Sequence, residues 1–142
     1  MGLKGFRIRL RDVTEVATPS QISLKIPVHP DVTGIPLEAP LSFFVITFPQ
    51  GATAPSHSHK SDEYEYVLSG KGLLDAGDER GISLEPDMVV YNPKGITHKI
   101  TNTGKLPLKI LKVHVPPITP FGPDDIFTAK AINEAKRAFK ER

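Results

Sequence analysis

Cysteine is absent from all 142 residues. No disulfide can hold the fold, and any metal site has to be built from nitrogen and oxygen ligands. The lack also fits a cytoplasmic, reducing compartment. Long apolar runs are missing too, since none approaches the roughly 18 residues of a membrane span. The opening stretch, MGLKGFRIRL, alternates charged and apolar residues and has no signal-peptide core. Phe6 stands where a myristoylation signal needs Ser or Thr. Charge of one sign is scarce, with a formal net charge of +2. From Lys130 onward, Lys130, Lys136, Arg137, Lys140 and Arg142 oppose Glu134 and Glu141, a local excess of +3 that leaves the rest at −1. A nucleic-acid binder would carry its basic stripe across the folded core. Neither nucleic acid nor membrane is an expected partner.

Proline and glycine, by contrast, are plentiful: 14 and 11 residues punctuate the chain so that the runs between them stay short. That spacing predicts an all-β barrel or sandwich. Phe6, Ile8 and Leu10 alternate with Arg7, Arg9 and Arg11 as in a half-buried strand, and Ile22, Leu24, Ile26 and Val28 repeat the pattern. Thr14 to Gln21 reads as a connection between them. LSFFVITF, from Leu41 to Phe48, is continuously apolar and reads as a buried strand with Phe43, Phe44 and Phe48 in the core. EYVLSG, GLLDA, ISLE, MVVYN, ITHKITN and LKILKVHV follow as strands, with turns at GDERG and NTGKLP. The tail changes character. Asp124 or Asp125 can cap a helix in which Phe127, Ala131, Ala135 and Phe139 form an apolar stripe. The chain thus reads as one domain in three segments: strands and a connection over 1–40, a barrel core over 41–115, and a proline-rich linker with a C-terminal α-helix over 116–142.

Histidine spacing carries the chemistry. His57 and His59 are two apart, so on a strand both imidazoles face one point. Glu63 is close enough for a turn to bring its carboxylate there, although Lys60 or Lys71 could also pair with it. His98 lies on a later strand, behind Pro93 and Gly95. Such a nitrogen–oxygen set suits Mn, Fe, Ni, Cu or Zn, and a half-octahedral array leaves positions for water or substrate. Glu65 shares the strand parity of Glu63 and is the alternative carboxylate. His114 and His29 read as structural or exposed. One of Tyr64, Tyr66 and Tyr91 could reach a pocket, although packing is the commoner role for each. Ser56 and Ser58 lack the elbow of a serine nucleophile.

GATAPSHSHKSDEYEYVLSG fits G-x5-H-x-H-x3-E-x6-G through Gly51, His57, His59, Glu63 and Gly70, and PKGITHKITN fits P-x-G-x2-H-x3-N through Pro93, Gly95, His98 and Asn102. In both, the sequence resembles the cupin superfamily, in its small single-barrel form. One departure stands out: Asp87 replaces the glycine that opens the second motif, and Asp tolerates the left-handed backbone such a turn requires. The resemblance implies a double-stranded β-helix, or jelly roll. It also implies one divalent transition metal (Mn, Fe, Ni or Zn) at the barrel mouth on His57, His59, Glu63 and His98.

The expected function is a metal-dependent enzyme of dioxygenase, isomerase or lyase type acting on a small organic molecule. The alternative is a metal-containing module that binds or senses a small ligand without turnover. A storage barrel would not require four converging ligands. Edge strands of a small barrel need cover, so Gly5 to Val28 could pair with a neighbour's sheet in a twofold homodimer.

Overall fold

The computed structural model describes residues 5–34, 40–120 and 125–141. Nine strands among them form two antiparallel sheets. They are β1 (Val16–Ala17), β2 (Ser23–Val28), β3 (Ser42–Phe48), β4 (Asp62–Ser69), β5 (Gly72–Ala76), β6 (Glu79–Leu84), β7 (Val89–Asn92), β8 (His98–Thr101) and β9 (Leu108–Val115). The large sheet runs β1-β2-β3-β9-β4-β7 and the small one β6-β5-β8. Apolar side chains from both sheets meet between them. Phe48, Val67, Leu108 and Ile110 of the large sheet pack with Leu74, Leu84 and Ile100 of the small one. The architecture is the jelly roll expected from the sequence.

The small sheet does not cover the whole inner face of the large one. A short helix, α1 (Pro30–Thr33), and the C-terminal helix α2 (Ile126–Glu141) complete the structure. Ala131, Ile132, Ala135 and Ala138 of α2 pack on Val16, Leu24, Ile26 and Phe44 in a second apolar cluster. Phe44 and Phe48 lie four apart on β3 and so point to the same face. Helix and small sheet therefore sit side by side on one face, over opposite ends of the large sheet. Asp125 caps α2, accepting from the Phe127 and Thr128 amides at 3.2 Å each. The other capping candidate, Asp124, lies outside the described residues.

Three local expectations are corrected. Residues 6–10 are not a strand: the chain there is irregular and enters a 3-10 turn at Leu10–Asp12. Its alternation is real in burial, since Ile8 packs on the second cluster and Phe6 meets the Phe139 ring at 5.6 Å, but among the described residues no backbone forms a ladder with it. The connection from Thr14 to Gln21 contains β1, which pairs with β2. Phe43 points away from Phe44 and is only half-buried.

Three turns explain motif residues that bear no chemistry. A Cβ on Gly70, at φ +85°, would sit 2.4 Å from the Pro107 carbonyl oxygen, so no side chain fits where β4 turns into β5. Asp87 adopts φ 76°, the left-handed conformation expected of the residue in the glycine's place, and accepts a bond from the Tyr66 hydroxyl. Asn102 ties its own turn together, donating to the carbonyls of Phe48 and Leu106 at 2.9 Å each.

Candidate metal centre

β4 and β9 pair with Glu63 opposite His114, Glu65 opposite Lys112 and Val67 opposite Ile110. Strand side chains alternate, so these six share the inner face, and all six are buried. Tyr64 and Tyr66 take the other parity and are 47% and 36% exposed, while Tyr91 on β7 is 52% exposed. None of the three tyrosines reaches the pocket, since the pleat turns them all outward into the surface role that the sequence favoured.

His57 and His59 lie in the loop before β4, which is pinned to the small sheet. His57 and His98 exchange backbone hydrogen bonds of 3.1 and 2.9 Å, and the Gly95 amide donates to the His59 carbonyl at 2.9 Å. The three imidazoles then converge, with ring centroids 4.4 Å apart for His57 and His98 and 5.1 Å for His59 and His98. One ring nitrogen of each lies within 4.8 Å of the others.

Each ring is also oriented from behind. Nδ1 of His57 lies 2.8 Å from the Pro55 carbonyl oxygen, Nδ1 of His59 3.1 Å from that of Ser61, and Nδ1 of His98 3.2 Å from that of Ile96. A carbonyl only accepts, so each Nδ1 carries a proton, and each ring in its neutral form presents the Nε2 lone pair to the common point. Backbone carbonyls are a usual anchor for metal-ligating histidines.

Glu63 sits at the centre of the cluster, 1% exposed. Its Oε2 lies 3.0 Å from His59 Nε2 and 2.5 Å from His114 Nε2. Its Oε1 accepts from the Asn92 amide at 3.2 Å, with Lys112 Nζ at 3.6 Å and His98 Nε2 at 3.7 Å. The cation facing it is Lys112, not Lys60 or Lys71. Glu65 is buried beside it, with its Oε1 3.1 Å from the same Lys112 Nζ.

Two residues here were missed. His114 was expected to be structural or exposed, yet it joins His59 and Glu63 in a second group whose ligating atoms lie within 4.8 Å of one another. Lys112 was given no role. The signal was in LKILKVHV, where the alternation of Leu108 and Ile110 carries on through Lys112 and His114 to the same inner face. His29 is structural: it caps α1 through Nδ1, which accepts from the Asp31 amide at 3.1 Å, and its Nε2 lies 3.0 Å from the Ile118 carbonyl oxygen.

Electrostatics sort the cluster into fixed charge states. Burial lowers the pKa of His57 and His114, and of His98 to about 4, so these rings are neutral at pH 7. Burial also pushes the Glu63 carboxyl up, but the Lys112 ammonium and the hydrogen bonds from Glu65 and His114 outweigh it and hold Glu63 well below the usual range. Glu65 goes the other way. Burial and the neighbouring Glu63 charge raise it to about 8 against the pull of Lys112. Lys112 stays an ammonium, its burial overcome by the two carboxyls. Among the groups whose pKa is shifted, Lys112 is therefore the cation and Glu63 the anion at neutral pH.

The residues present fit a divalent cation. His98 Nε2 is buried with no hydrogen-bond partner among the described residues. Where Nδ1 of His59 carries its proton, Nε2 sets a lone pair against a carboxylate oxygen 3.0 Å away, two acceptors that a cation or a further proton has to reconcile. The donors are imidazole and carboxylate, the set suited to first-row transition metals.

The cluster forms one wall of a cavity of about 490 Å³ between the sheets. Leu24, Phe44, Ile46 and Phe48 form a second wall, and Asp125, Phe127 and Thr128 of the α2 end close a third. No residue of α2 joins the candidate ligands, but the helix borders the space they face.

Comparison with known proteins agrees with this arrangement. The Cupin domain family model matches residues 44–114. An uncharacterised protein of Methanocaldococcus jannaschii is 37% identical over 70 residues, which are 49% of this chain and 55% of that protein. The match thus spans only about half the length of that curated relative. Among solved structures, a predicted oxalate decarboxylase from Thermotoga maritima superposes with a TM-score of 0.68 at 20% identity, over 78% of this chain and 98% of that one. KdgF from a Halomonas species superposes with a TM-score of 0.64 at 18% identity, over 79% and 94%. At those identities the structures speak for the fold alone. With the family model spanning half the chain, and both histidine motifs folded onto one point of the barrel, the protein belongs to the cupin family.

Proposed function

We propose that this cupin is a metal-dependent enzyme acting on a small organic molecule in the barrel cavity, with one divalent transition metal (Mn, Fe, Ni or Zn) on His57, His59, Glu63 and His98. One observation carries the reading: three imidazoles, each with Nδ1 against a backbone carbonyl, present Nε2 to one point beside a charged carboxylate. A bound metal would act as a Lewis acid toward a substrate oxygen. The chain's own groups do the rest. Asn92 and His114 donate to the two oxygens of Glu63 and fix its plane. Lys112 holds the Glu63 charge in place and lines the cavity beside it.

Elemental analysis of purified protein tests the reading. About one transition metal per chain is expected. His98→Ala should lose most of it while the circular dichroism of the barrel stays unchanged. Uptake should weaken as pH falls through the imidazole range, because a protonated ring cannot ligate. Protein that takes up no Mn, Fe, Ni or Zn at neutral pH would overturn the assignment. Turnover in screens for O₂ consumption, isomerisation and decarboxylation then separates an enzyme from a binding module.

A further inference from the structure

The cavity is divided by chemistry. Lys112, Glu63, His57, His98 and His114 line one wall, and the one other charged lining side chain among the described residues, Asp125, belongs to the α2 end and is engaged in capping that helix. Away from them it is lined by Leu24 of β2, Phe44, Ile46 and Phe48 of β3, Ile100 of β8 and Phe127 of α2. Four polar residues interrupt this surface: Thr18, Ser20, Asp125 and Thr128. Each already has hydrogen bonds within its own turn. The Thr18 hydroxyl donates to the Ile22 carbonyl at 2.9 Å and lies 3.0 Å from that of Ser20. Asp125 accepts from the Phe127 and Thr128 amides, and from the Thr128 hydroxyl at 2.8 Å.

A polyhydroxylated ligand would desolvate hydroxyls against this surface and find too few partners, a cost of about 1–3 kcal/mol for each group left unpaired. A compact diacid would leave most of the apolar wall in contact with water. Neither matches. From this division we infer that the cavity takes an amphipathic organic acid, with its carboxylate at the ligand cluster beside the Lys112 ammonium and a ring-sized apolar body against β2, β3 and Phe127. The inference rests on the metal-site reading for its head group and on the apolar walls for its body. It makes the start of α2 part of the specificity surface, since Phe127 faces the space from across the barrel strands.

Isothermal titration calorimetry on metal-loaded protein, with pyruvate, phenylpyruvate and galacturonate as probes, tests it without needing turnover. The first two share a head group and differ by a ring, and the third carries hydroxyls in place of apolar carbon. Phenylpyruvate should bind roughly 10- to 100-fold tighter than pyruvate, with a more negative heat-capacity change, and galacturonate no tighter than pyruvate. Phe127→Ala should narrow the advantage of the ring severalfold at unchanged metal content, and Ile46→Val should narrow it less. The comparison of probes on the unaltered protein stands by itself if either variant folds poorly. Equal affinity for pyruvate and phenylpyruvate, or tightest binding of galacturonate, would overturn the inference. The two readings also fail separately. Protein that takes up no metal but keeps the ring preference refutes the metal assignment and upholds the apolar body. Protein that holds metal and prefers galacturonate does the reverse.

Discussion

Strands β4 and β9 contain two kinds of interior side by side. Val67 and Ile110 face each other at 0% exposure, and so, within a few per cent, do Glu65 and Lys112 and then Glu63 and His114. Three consecutive inward pairs are equally buried, and only one is apolar. Burying a methylene contributes about 0.8 kcal/mol to folding, whereas taking an ion pair out of water costs several kcal/mol per ion before its attraction is counted. Burial alone therefore does not mark a core. The apolar pair supports the barrel, and the polar pairs draw on that support.

The largest break in this comparison should come from Lys112→Met. It leaves Glu63 and Glu65 without their cation, and urea unfolding of the metal-free protein should show a loss of about 3–5 kcal/mol. Adding Glu63→Gln to the same chain should recover a large part of it, because the buried anion that Lys112 offsets goes too. A single variant as stable as the parent would show that the ammonium does not hold the polar pairs together. Next in size, Ile110→Ala should cost about 2–4 kcal/mol through the cavity it leaves. Metal content should not follow stability here, and a loss of metal in folded Ile110→Ala protein would erase the division between the two interiors.

A pH series gives the smallest effect, at most about 1.4 kcal/mol per proton and pH unit. His98 titrates at about 4 in the fold against 6.5 unfolded, and His57 and His114 are lowered as well. Between those values the unfolded chain binds more protons, so metal-free protein should lose stability as pH falls from 6.5 toward 4. Glu65 works in the opposite sense. Held at about 8 against 4.5 unfolded, it keeps a proton in the fold, and the stability this contributes is lost as pH rises toward 8. Three histidines outweigh one carboxyl below 6.5, and above it the raised Glu65 takes over the slope. Thermal melts should therefore peak between about pH 6 and 7. A melting temperature flat from pH 5 to 8 would contradict these charge states.

What the sequence could reveal follows the same physics. Alternation located β2 and β9 closely, a continuous apolar run located β3, and the turns around GLLDA located β5. The same alternation misled at residues 6–10. Periodicity reports which side chains face the protein, and whether another backbone lies alongside is decided by distant parts of the chain. Local spacing pointed to the convergence of His57, His59 and Glu63, whereas His98 was joined to them by its likeness to the second cupin motif. Lys112 and His114 depend on β9 pairing with β4, about fifty residues away, and only the parity of LKILKVHV pointed to them. Phe127 could be read as part of an apolar stripe, but not as a wall of the cavity.

That wall has a consequence for assembly order. The cavity is bounded by Thr18 to Leu24 on one side and by Asp125 to Thr128 on the other, segments about a hundred residues apart. Contacts across so long an intervening chain are slow to form, because the loop must close before they return any free energy. The candidate ligands span only His57 to His114 and belong to the barrel itself. Refolding should therefore run in two stages, with the imidazole cluster able to capture an ion while the helix end is still undocked. The ring-sized compartment would be completed last, so that competence for metal precedes competence for ligand.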